Sequence, residues 1–276
     1  LNNGTTKIEA KSCYGLKLDD ELKSLKIIKR LNDESHLDII PTFMGAHAFP
    51  PEYLDNKDAY IDIICQEMIP QVAQEGLAEF CDVFCEEGYF SIDQTKKIFE
   101  SALKFDLKLK IHADEFVDTG AASLAVEMGA ISADHLMVTG DRGKSDLANS
   151  HTIATLLPGT TFFLGKKTYA SGRELIDRGC EIAIATDFNA GSCTFQSMPD
   201  IMFLSMLYCG LNLEEAFKAS TYNGAKAIGK QSQKGLIKNK DREGDYWLTP
   251  EMYVDYEKFT DDYYYWSEIQ SPYHGY

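Results

Sequence analysis

The sequence predicts an α/β fold in which strands and helices alternate, of the (β/α)8 or TIM-barrel type. Short β-rich runs alternate with amphipathic helical stretches along most of the 276 residues, a pattern typical of parallel βα units. Three polar residues, His112, His135 and Asp187, each close a different apolar, strand-like run. In a βα barrel the carboxyl ends of the strands line the mouth where chemistry takes place. These positions therefore favour a barrel with a functional mouth.

Seven strands are predicted in chain order. They cover residues 6–12, 37–47, 77–85, 107–113, 131–136, 160–165 and 181–187. A βα barrel closes with eight strands, and an open parallel sheet leaves unpaired backbone groups at two edges. We therefore expect that the first strand is missing and that strands 2 to 8 are present. The chain begins with Leu1 rather than methionine, which favours a chain that lacks its amino-terminal part.

Helical periodicity fills the gaps between these strands. In residues 18–31, leucines and isoleucines recur at the three- and four-residue spacing of a helix face. Ser91 with Gln94, and Asn212 with Glu215, have the spacing of capping boxes. These pairs predict two helix starts.

The composition changes after about Gly229, which predicts a barrel at 1–229 and a divergent acidic, aromatic-rich tail at 230–276. Residues 241–276 contain eight of the 15 tyrosines, both tryptophans, and nine acidic residues against two basic ones. Strand or helix periodicity is not clear there. Two alternatives stay open: a small packed cap, such as the remnant of a small β domain, or a loosely held extension. The packed cap is favoured because aromatic side chains are costly to leave in water.

Composition and charge exclude several classes of partner. The chain has 27 basic and 43 acidic residues and a net charge of −16, without a basic cluster, so neither nucleic acid nor an anionic membrane is an expected partner. The apolar stretch at 201–211 is too short to cross a bilayer. The seven cysteines lie mostly in apolar runs, as reduced, buried thiols do. We expect a cytoplasmic protein.

The residue types at the strand ends point to metal-assisted hydrolysis. A bound divalent ion makes water nucleophilic near neutral pH, and His112 and Asp187 are suitable ligands. His135 is either a third ligand or a neighbour that shuttles protons. Glu115, in the loop beyond the same strand as His112, can orient the water or accept its proton. Each residue alone also fits a structural role, such as a core histidine, a helix cap or a solvated acid.

Four strings carry a resemblance to a known family: KIHADEF at 110–116, ADHL at 133–136, ATDFNAGS at 185–192 and QSMPDIM at 196–202. The chain resembles the imidazolonepropionase family of the amidohydrolase superfamily, from the string TKIEAKS to about Gly229. This resemblance implies a barrel of the metal-dependent hydrolase kind, with one divalent or trivalent ion, zinc or iron, held by His112 and Asp187. It implies catalytic roles for Glu115, His135 and Asp187. The implied substrate-binding residues are Tyr14, His47, Glu115, Asn189, Gly191 and Ser192.

The activity that the resemblance implies is hydrolysis of the C–N bond of a cyclic amide. The small-molecule substrate is 4-imidazolone-5-propanoate, the product is N-formimidoyl-L-glutamate, and the pathway is histidine breakdown. The resemblance also suggests a homodimer. Two alternatives stay open: another amidohydrolase such as a deaminase, which would differ in the loop after Asp187, and an inactive fragment or degenerate barrel with a binding role.

The sequence departs from the family pattern in ways that affect the metal site and the pocket. Members of the superfamily carry a His-x-His pair on the first strand, but the six histidines here are at 36, 47, 112, 135, 151 and 274 and include no such pair. Loss of two nitrogen ligands weakens metal binding, which favours the inactive alternative. Cys13 stands where glycine is expected, so a positive φ there would strain the turn that carries Tyr14.

Overall fold

Seven parallel strands form one sheet in the computed structural model, which describes residue 3, residues 5–232 and residue 235. The strands are β1 (Lys7–Lys11), β2 (Asp38–Ala46), β3 (Phe80–Cys85), β4 (Lys108–Ala113), β5 (Ser132–His135), β6 (Ile153–Leu156) and β7 (Ile182–Ile184). Each strand pairs with the next along the chain, and the sheet curls into a half-barrel. The predicted α/β fold is confirmed.

Helices connect the strands, as parallel crossovers require. They are α1 (Leu18–Glu34), α2 (Lys57–Ile63), α3 (Ile69–Gln74), α4 (Ile92–Leu103), α5 (Ala121–Met128), α6 (Asp141–Ala148), α7 (Pro158–Phe163), α8 (Gly172–Asp177), α9 (Met198–Tyr208), α10 (Leu213–Ser220) and α11 (Tyr222–Ala227). A 3₁₀ turn at Pro51–Tyr53 precedes α2. A π-helical turn at Ile64–Met68 joins α2 to α3, just before Pro70, whose missing N–H interrupts regular α-helical bonding.

One predicted strand is wrong. The sequence pattern predicts a strand at 160–165, but α7 covers most of that range and the sixth strand is β6 instead. Pro158 begins α7, where its fixed φ suits the first helical turn. The run TTFFLG is rich in β-branched and aromatic residues, and in so short a run periodicity alone does not distinguish a helix from a strand. Phe162 and Phe163 are 48% and 49% exposed, unlike residues of a buried parallel strand.

Both predicted capping boxes are confirmed. The Ser91 hydroxyl accepts a hydrogen bond from the N–H of Gln94 at the start of α4, and the Gln94 side chain accepts from the N–H of Ser91. Asn212 and Glu215 make the same reciprocal pair at the start of α10. Each pair satisfies two of the N–H groups that a helix start leaves open.

The strand register collects several charged side chains on one face of the sheet. Asp82 of β3 lies opposite Lys110 of β4, and His112 of β4 lies opposite Asp134 of β5. Since side chains alternate between faces along a strand, these four residues share the inner face of the curled sheet. The intervening residues belong to the buried apolar core that the helices also line; they are Cys81, Val83, Leu109, Ile111 and Ala133. The charged side chains of these strands therefore lie together on the inner face of the sheet.

The chain divides into a unit of residues 1–235 and a unit of residues 236–276. The predicted tail lies almost entirely outside the described residues, and the predicted boundary near Gly229 stays a prediction. Within residues 5–232, no helix has both the length and the apolar character needed to cross a membrane. All seven cysteines are free thiols, and five of them are buried.

Candidate active site

The two predicted strand-end histidines lie side by side. His112 is the last residue but one of β4, and His135 ends β5. Their ring centroids are 5.1 Å apart with an interplanar angle of 44°, and both side chains are buried. The structure thus brings the two rings together at the carboxyl ends of neighbouring strands, and their catalytic roles stay predictions.

A buried carboxylate fixes one edge of the His112 ring. Nδ1 of His112 lies 3.0 Å from Oδ1 of Asp82 on the neighbouring strand. Burial by itself lowers the pKa of His112, but the negative charge of Asp82 outweighs it and the pKa is raised. Burial would raise the pKa of Asp82, and the charges of His112 and Lys11 instead hold it well below its usual range. Because Nδ1 faces Asp82, Nε2 is the nitrogen of His112 that remains available for another partner.

Lys11 carries the positive charge of this cluster. Its ammonium group donates to Oδ2 of Asp82 and, at 3.0 Å, to Oδ2 of Asp134. The Ser132 hydroxyl donates to the other oxygen of Asp134 at 2.8 Å. Burial opposes the charge of Lys11, but the carboxylates raise its pKa well above the ordinary value. Burial also opposes the charge of Asp134, whose pKa is lowered to about 2, chiefly by Lys11.

Asp82, His112 and Asp134 form a candidate metal-binding triad among the residues that the structure describes, since one ligand atom from each lies within 4.8 Å of the others. Lys11 contacts both carboxylates of this triad. An ammonium group therefore already supplies the positive charge that a metal ion would bring to these two acids.

Glu115 lies beside His135 in a loop that is held by hydrogen bonds. Its Oε2 lies 3.6 Å from Nε2 of His135. The backbone N–H groups of Glu115 and Phe116 both donate to Oε2 of Glu86 at 2.9 Å, and that of Val117 donates to its Oε1 at 3.1 Å. Glu86 follows β3 and is only 2% exposed. This buried carboxylate binds the start of the loop, so backbone hydrogen bonds fix the position of Glu115.

The electrostatics of His135 favour its neutral form. Burial is the largest influence and lowers its pKa, while the charges of Glu115 and Asp187 act in the opposite direction. Its Nδ1 is buried without a hydrogen-bond partner among the described residues. A neutral imidazole whose second nitrogen faces a carboxylate is suited to proton transfer.

Two of the predicted catalytic residues have an unusual backbone. His135 has φ 78° and Asp187 has φ 49°, in the left-handed region that residues other than glycine seldom occupy. Such strain collects at functional sites and costs on the order of 1–3 kcal/mol for each residue. The neighbouring structure must therefore stabilise both positions.

Asp187 opens the loop that follows β7. The Thr160 hydroxyl donates to Oδ2 of Asp187. Oδ1 of Asn189 accepts the N–H groups of Gly191 at 2.8 Å and Ser192 at 2.7 Å. These two N–H groups, predicted to contact substrate, therefore bond within the loop in this structure, and Asn189 organises the loop around itself.

Tyr14 and His47 line the same mouth from the other side. Their ring centroids are 4.5 Å apart, and a Cβ atom added to Gly191 would lie 3.7 Å from the Tyr14 hydroxyl. Burial lowers the pKa of His47 to about 4, with His112 adding to the effect. The turn after β1 takes its left-handed φ of 69° at Tyr14 and not at Cys13, so cysteine does not strain the turn in the way expected from a missing glycine.

The sequence analysis did not identify four charged residues of the site: Lys11, Asp82, Glu86 and Asp134. For Asp82 and Asp134 the signal is an acidic residue inside a short strand run, FCDVFC at 80–85 and SADH at 132–135. An acid in such a buried run needs a partner, which indicates a charged cluster inside the fold. The closeness of His112 and Asp187, on which the predicted metal site depends, stays a prediction.

The chain belongs to the amidohydrolase family: the sequence profile described as Amidohydrolase family matches residues 86–242, more than half of the chain. Its curated relatives include imidazolonepropionases. The chain is 47% identical to that of Alkaliphilus metalliredigens over 237 residues, which are 86% of this chain and 56% of the relative. It is 47% identical to that of Clostridium tetani over 245 residues, 89% of this chain and 58% of the relative. The chain thus spans little more than half the length of these relatives.

Solved structures support the fold. A guanine deaminase from C. acetobutylicum with bound guanine has a TM-score of 0.65 at 15% identity, covering 86% of this chain and 61% of that one. A Xaa-Pro dipeptidase with bound methionine has a TM-score of 0.64 at 12% identity, covering 90% of this chain and 70% of that one. At such low identity the likeness concerns architecture alone.

Proposed function

We propose that the chain carries the active-site half of an imidazolonepropionase, which hydrolyses 4-imidazolone-5-propanoate to N-formimidoyl-L-glutamate in histidine breakdown. The observation that carries the proposal is the group of His112, His135 and Glu115, with ring and carboxylate held together at the ends of β4 and β5. Identity of 47% with curated imidazolonepropionases over 86% of the chain supports this substrate.

The metal ion is proposed to be zinc or iron, held by His112 through Nε2 and by Asp187. An imidazole and a carboxylate suit either ion, and the bond from His112 Nδ1 to Asp82 is the usual outer contact of a metal-binding histidine. When bound, such an ion acidifies water and polarises a carbonyl. These residues fit the ion, although two ligands alone bind it weakly.

The protein's own groups are proposed to handle the protons. Glu115 accepts the proton of the attacking water and delivers it to the ring nitrogen that departs as the C–N bond breaks. His135, kept neutral by burial, has one N–H, which donates a hydrogen bond to the negative charge that develops on the carbonyl oxygen. The fixed loop below Glu115 limits its movement during both transfers.

Substrate contacts are proposed from two sides of the mouth. Tyr14 and His47 would cover one side of the imidazolone ring, since their rings are already packed together. Asn189, Gly191 and Ser192 would supply polar contacts from the loop after β7. Because the loop's N–H groups now bond to Asn189, binding requires Asn189 to exchange these bonds for bonds to substrate.

A cytoplasmic location and a homodimeric state are also proposed. Seven free thiols suit a reducing compartment. Exposed apolar side chains on α7 and α9, including Phe163, Phe203 and Leu207, offer surface for a second copy. Light scattering of the purified chain tests the dimer, and fractionation of the source cells tests the location.

The central experiment combines metal analysis with an activity assay on the purified chain. Near-stoichiometric zinc or iron, together with loss of imidazolonepropionate absorbance, supports the proposal. Asp187→Asn should lower both metal content and turnover, whereas Asp200→Asn, an exposed acid in the first turn of α9, should change neither. A folded chain without metal and without turnover would support the inactive-barrel alternative instead.

A further inference from the structure

The two oxygens of Asp82 have separate partners, and this division constrains the histidine beside it. Oδ1 faces Nδ1 of His112 at 3.0 Å, and Oδ2 accepts from the Lys11 ammonium. An ionised carboxylate only accepts hydrogen bonds, so Nδ1 of His112 must carry the hydrogen. In a neutral ring the lone pair then lies on Nε2.

Lys11 prevents Asp82 from turning away from this arrangement. Its ammonium reaches from β1 to carboxylates on β3 and β5, donating to Asp82 and, at 3.0 Å, to Asp134. Asp134 is held in turn by the Ser132 hydroxyl at 2.8 Å. Asp82 is fully buried, so rotation would break an ion pair that water cannot replace.

We propose that Asp82, held in place by Lys11, is a positioning residue that fixes the tautomer of His112 and presents its Nε2 as a metal ligand. Asp82 and Asp134 then hold His112 in its orientation and do not themselves bind the ion. Only one part of this proposal, the binding of a metal ion at Nε2, rests on the proposed function. The tautomer itself is a property of the metal-free chain.

The donor pattern of Lys11 makes a sharp test possible. In Asp82→Asn the amide must give its oxygen to Lys11, because an ammonium group cannot accept a hydrogen bond. The amide NH₂ then faces His112, whose Nδ1 must become the acceptor, so the hydrogen moves to Nε2. In the double variant Lys11→Met with Asp82→Asn the amide is free to turn its oxygen back to Nδ1. A residue with a merely structural role would not produce this reversal and its rescue.

The tautomer is read from nitrogen NMR of the metal-free, full chain with ¹⁵N-labelled histidine, in alkaline buffer where the rings are neutral. His112→Gln assigns the His112 signals. We expect Nδ1–H in the unmodified chain, Nε2–H in Asp82→Asn and a return towards Nδ1–H in the double variant. Tyr60→Phe removes another buried hydrogen bond, from the hydroxyl to the Gly45 carbonyl at 2.8 Å, and should leave the tautomer unchanged.

Metal affinity provides the second readout. Zinc binding to Asp82→Asn, measured by competition with a chromophoric chelator, should weaken by about 10- to 100-fold and recover in part in the double variant. A His112 ring that already carries its hydrogen on Nε2, or that keeps Nδ1–H in Asp82→Asn, would overturn the proposal. If the chain binds no metal, the proposed function fails while the tautomer measurement still decides this inference.

Discussion

Nε2 of His135 lies 3.6 Å from Oε2 of Glu115, with both side chains buried. This pair sets the first prediction. The Glu115 charge raises the pKa of His135 against the dominant effect of burial, so Glu115→Gln should lower that pKa further. An NMR titration of His135 measures the change. Glu127→Gln, which removes the charge of an exposed pair with Lys96, is the control. The same pKa of His135 in both variants would contradict the prediction.

The second prediction concerns acid stability. The pKa of His47 falls from 6.5 to about 4 in the folded chain, so the folded state resists a proton that the unfolded chain accepts. His47 therefore contributes stability that is present above pH 6.5 and is lost as the pH falls towards 4. His47→Phe keeps the ring that packs on Tyr14. The free energy of unfolding of His47→Phe, measured in urea, should fall less steeply with falling pH over that window than that of the unmodified chain. The same pH dependence in both proteins would contradict the prediction.

The third prediction uses two helical glycines with different surroundings. A Cβ atom at Gly172 would lie 2.7 Å from the Cys209 carbonyl oxygen, whereas one at Gly224 would lie 3.5 Å from that of Ala219. We expect Gly172→Ala to destabilise the chain by about 1–3 kcal/mol through overpacking. Gly224→Ala should instead stabilise it by about 0.4–1 kcal/mol. Urea unfolding of the two variants gives both values, and a loss of the same size at both positions would count against the close approach.

The fourth prediction concerns a buried ion pair below the site. Lys110 is 2% exposed and donates to Glu9 at 2.6 Å. Lys110→Met leaves Glu9 without its closest cation and should cost about 3–5 kcal/mol. Adding Glu9→Gln should recover part of the loss, because no unpaired charge remains.

Lys97→Met is the matched control for this pair. Lys97 pairs with Asp62 at 2.7 Å, but both side chains are about half exposed. Its loss should therefore cost at most about 1 kcal/mol. Equal thermal shifts in Lys97→Met and Lys110→Met would show that burial does not strengthen the inner pair.

Much of the fold could be predicted because its signals are local. Six of the seven predicted strands overlap the observed ones, and Ser91 and Asn212 begin helices as their capping partners indicate. The sequence pattern favours the run TTFFLG over the observed sixth strand, IATL at 153–156, because TTFFLG has more β-branched and aromatic residues. Packing decides between two such short runs, and packing is not visible in local periodicity.

The site could be predicted only where chemistry coincides with a strand end. His112 and His135 have that position, and their ring centroids are 5.1 Å apart. Lys11 and Asp82 lie 71 positions apart, and their contact depends on the register of three strands and on the curl of the sheet. A sequence without register does not show which buried charges pair, so the cation that holds Asp82 could not be predicted.

The left-handed backbone at His135 and Asp187 has a consequence for the engineering of this chain. Glycine or asparagine would relax the backbone at either position. Either replacement would, however, remove the imidazole ring of His135 or the carboxylate charge of Asp187. Selection for heat resistance alone would therefore favour replacements that erase the reactive groups. Libraries screened for robustness should leave these two codons unchanged and seek their gains elsewhere.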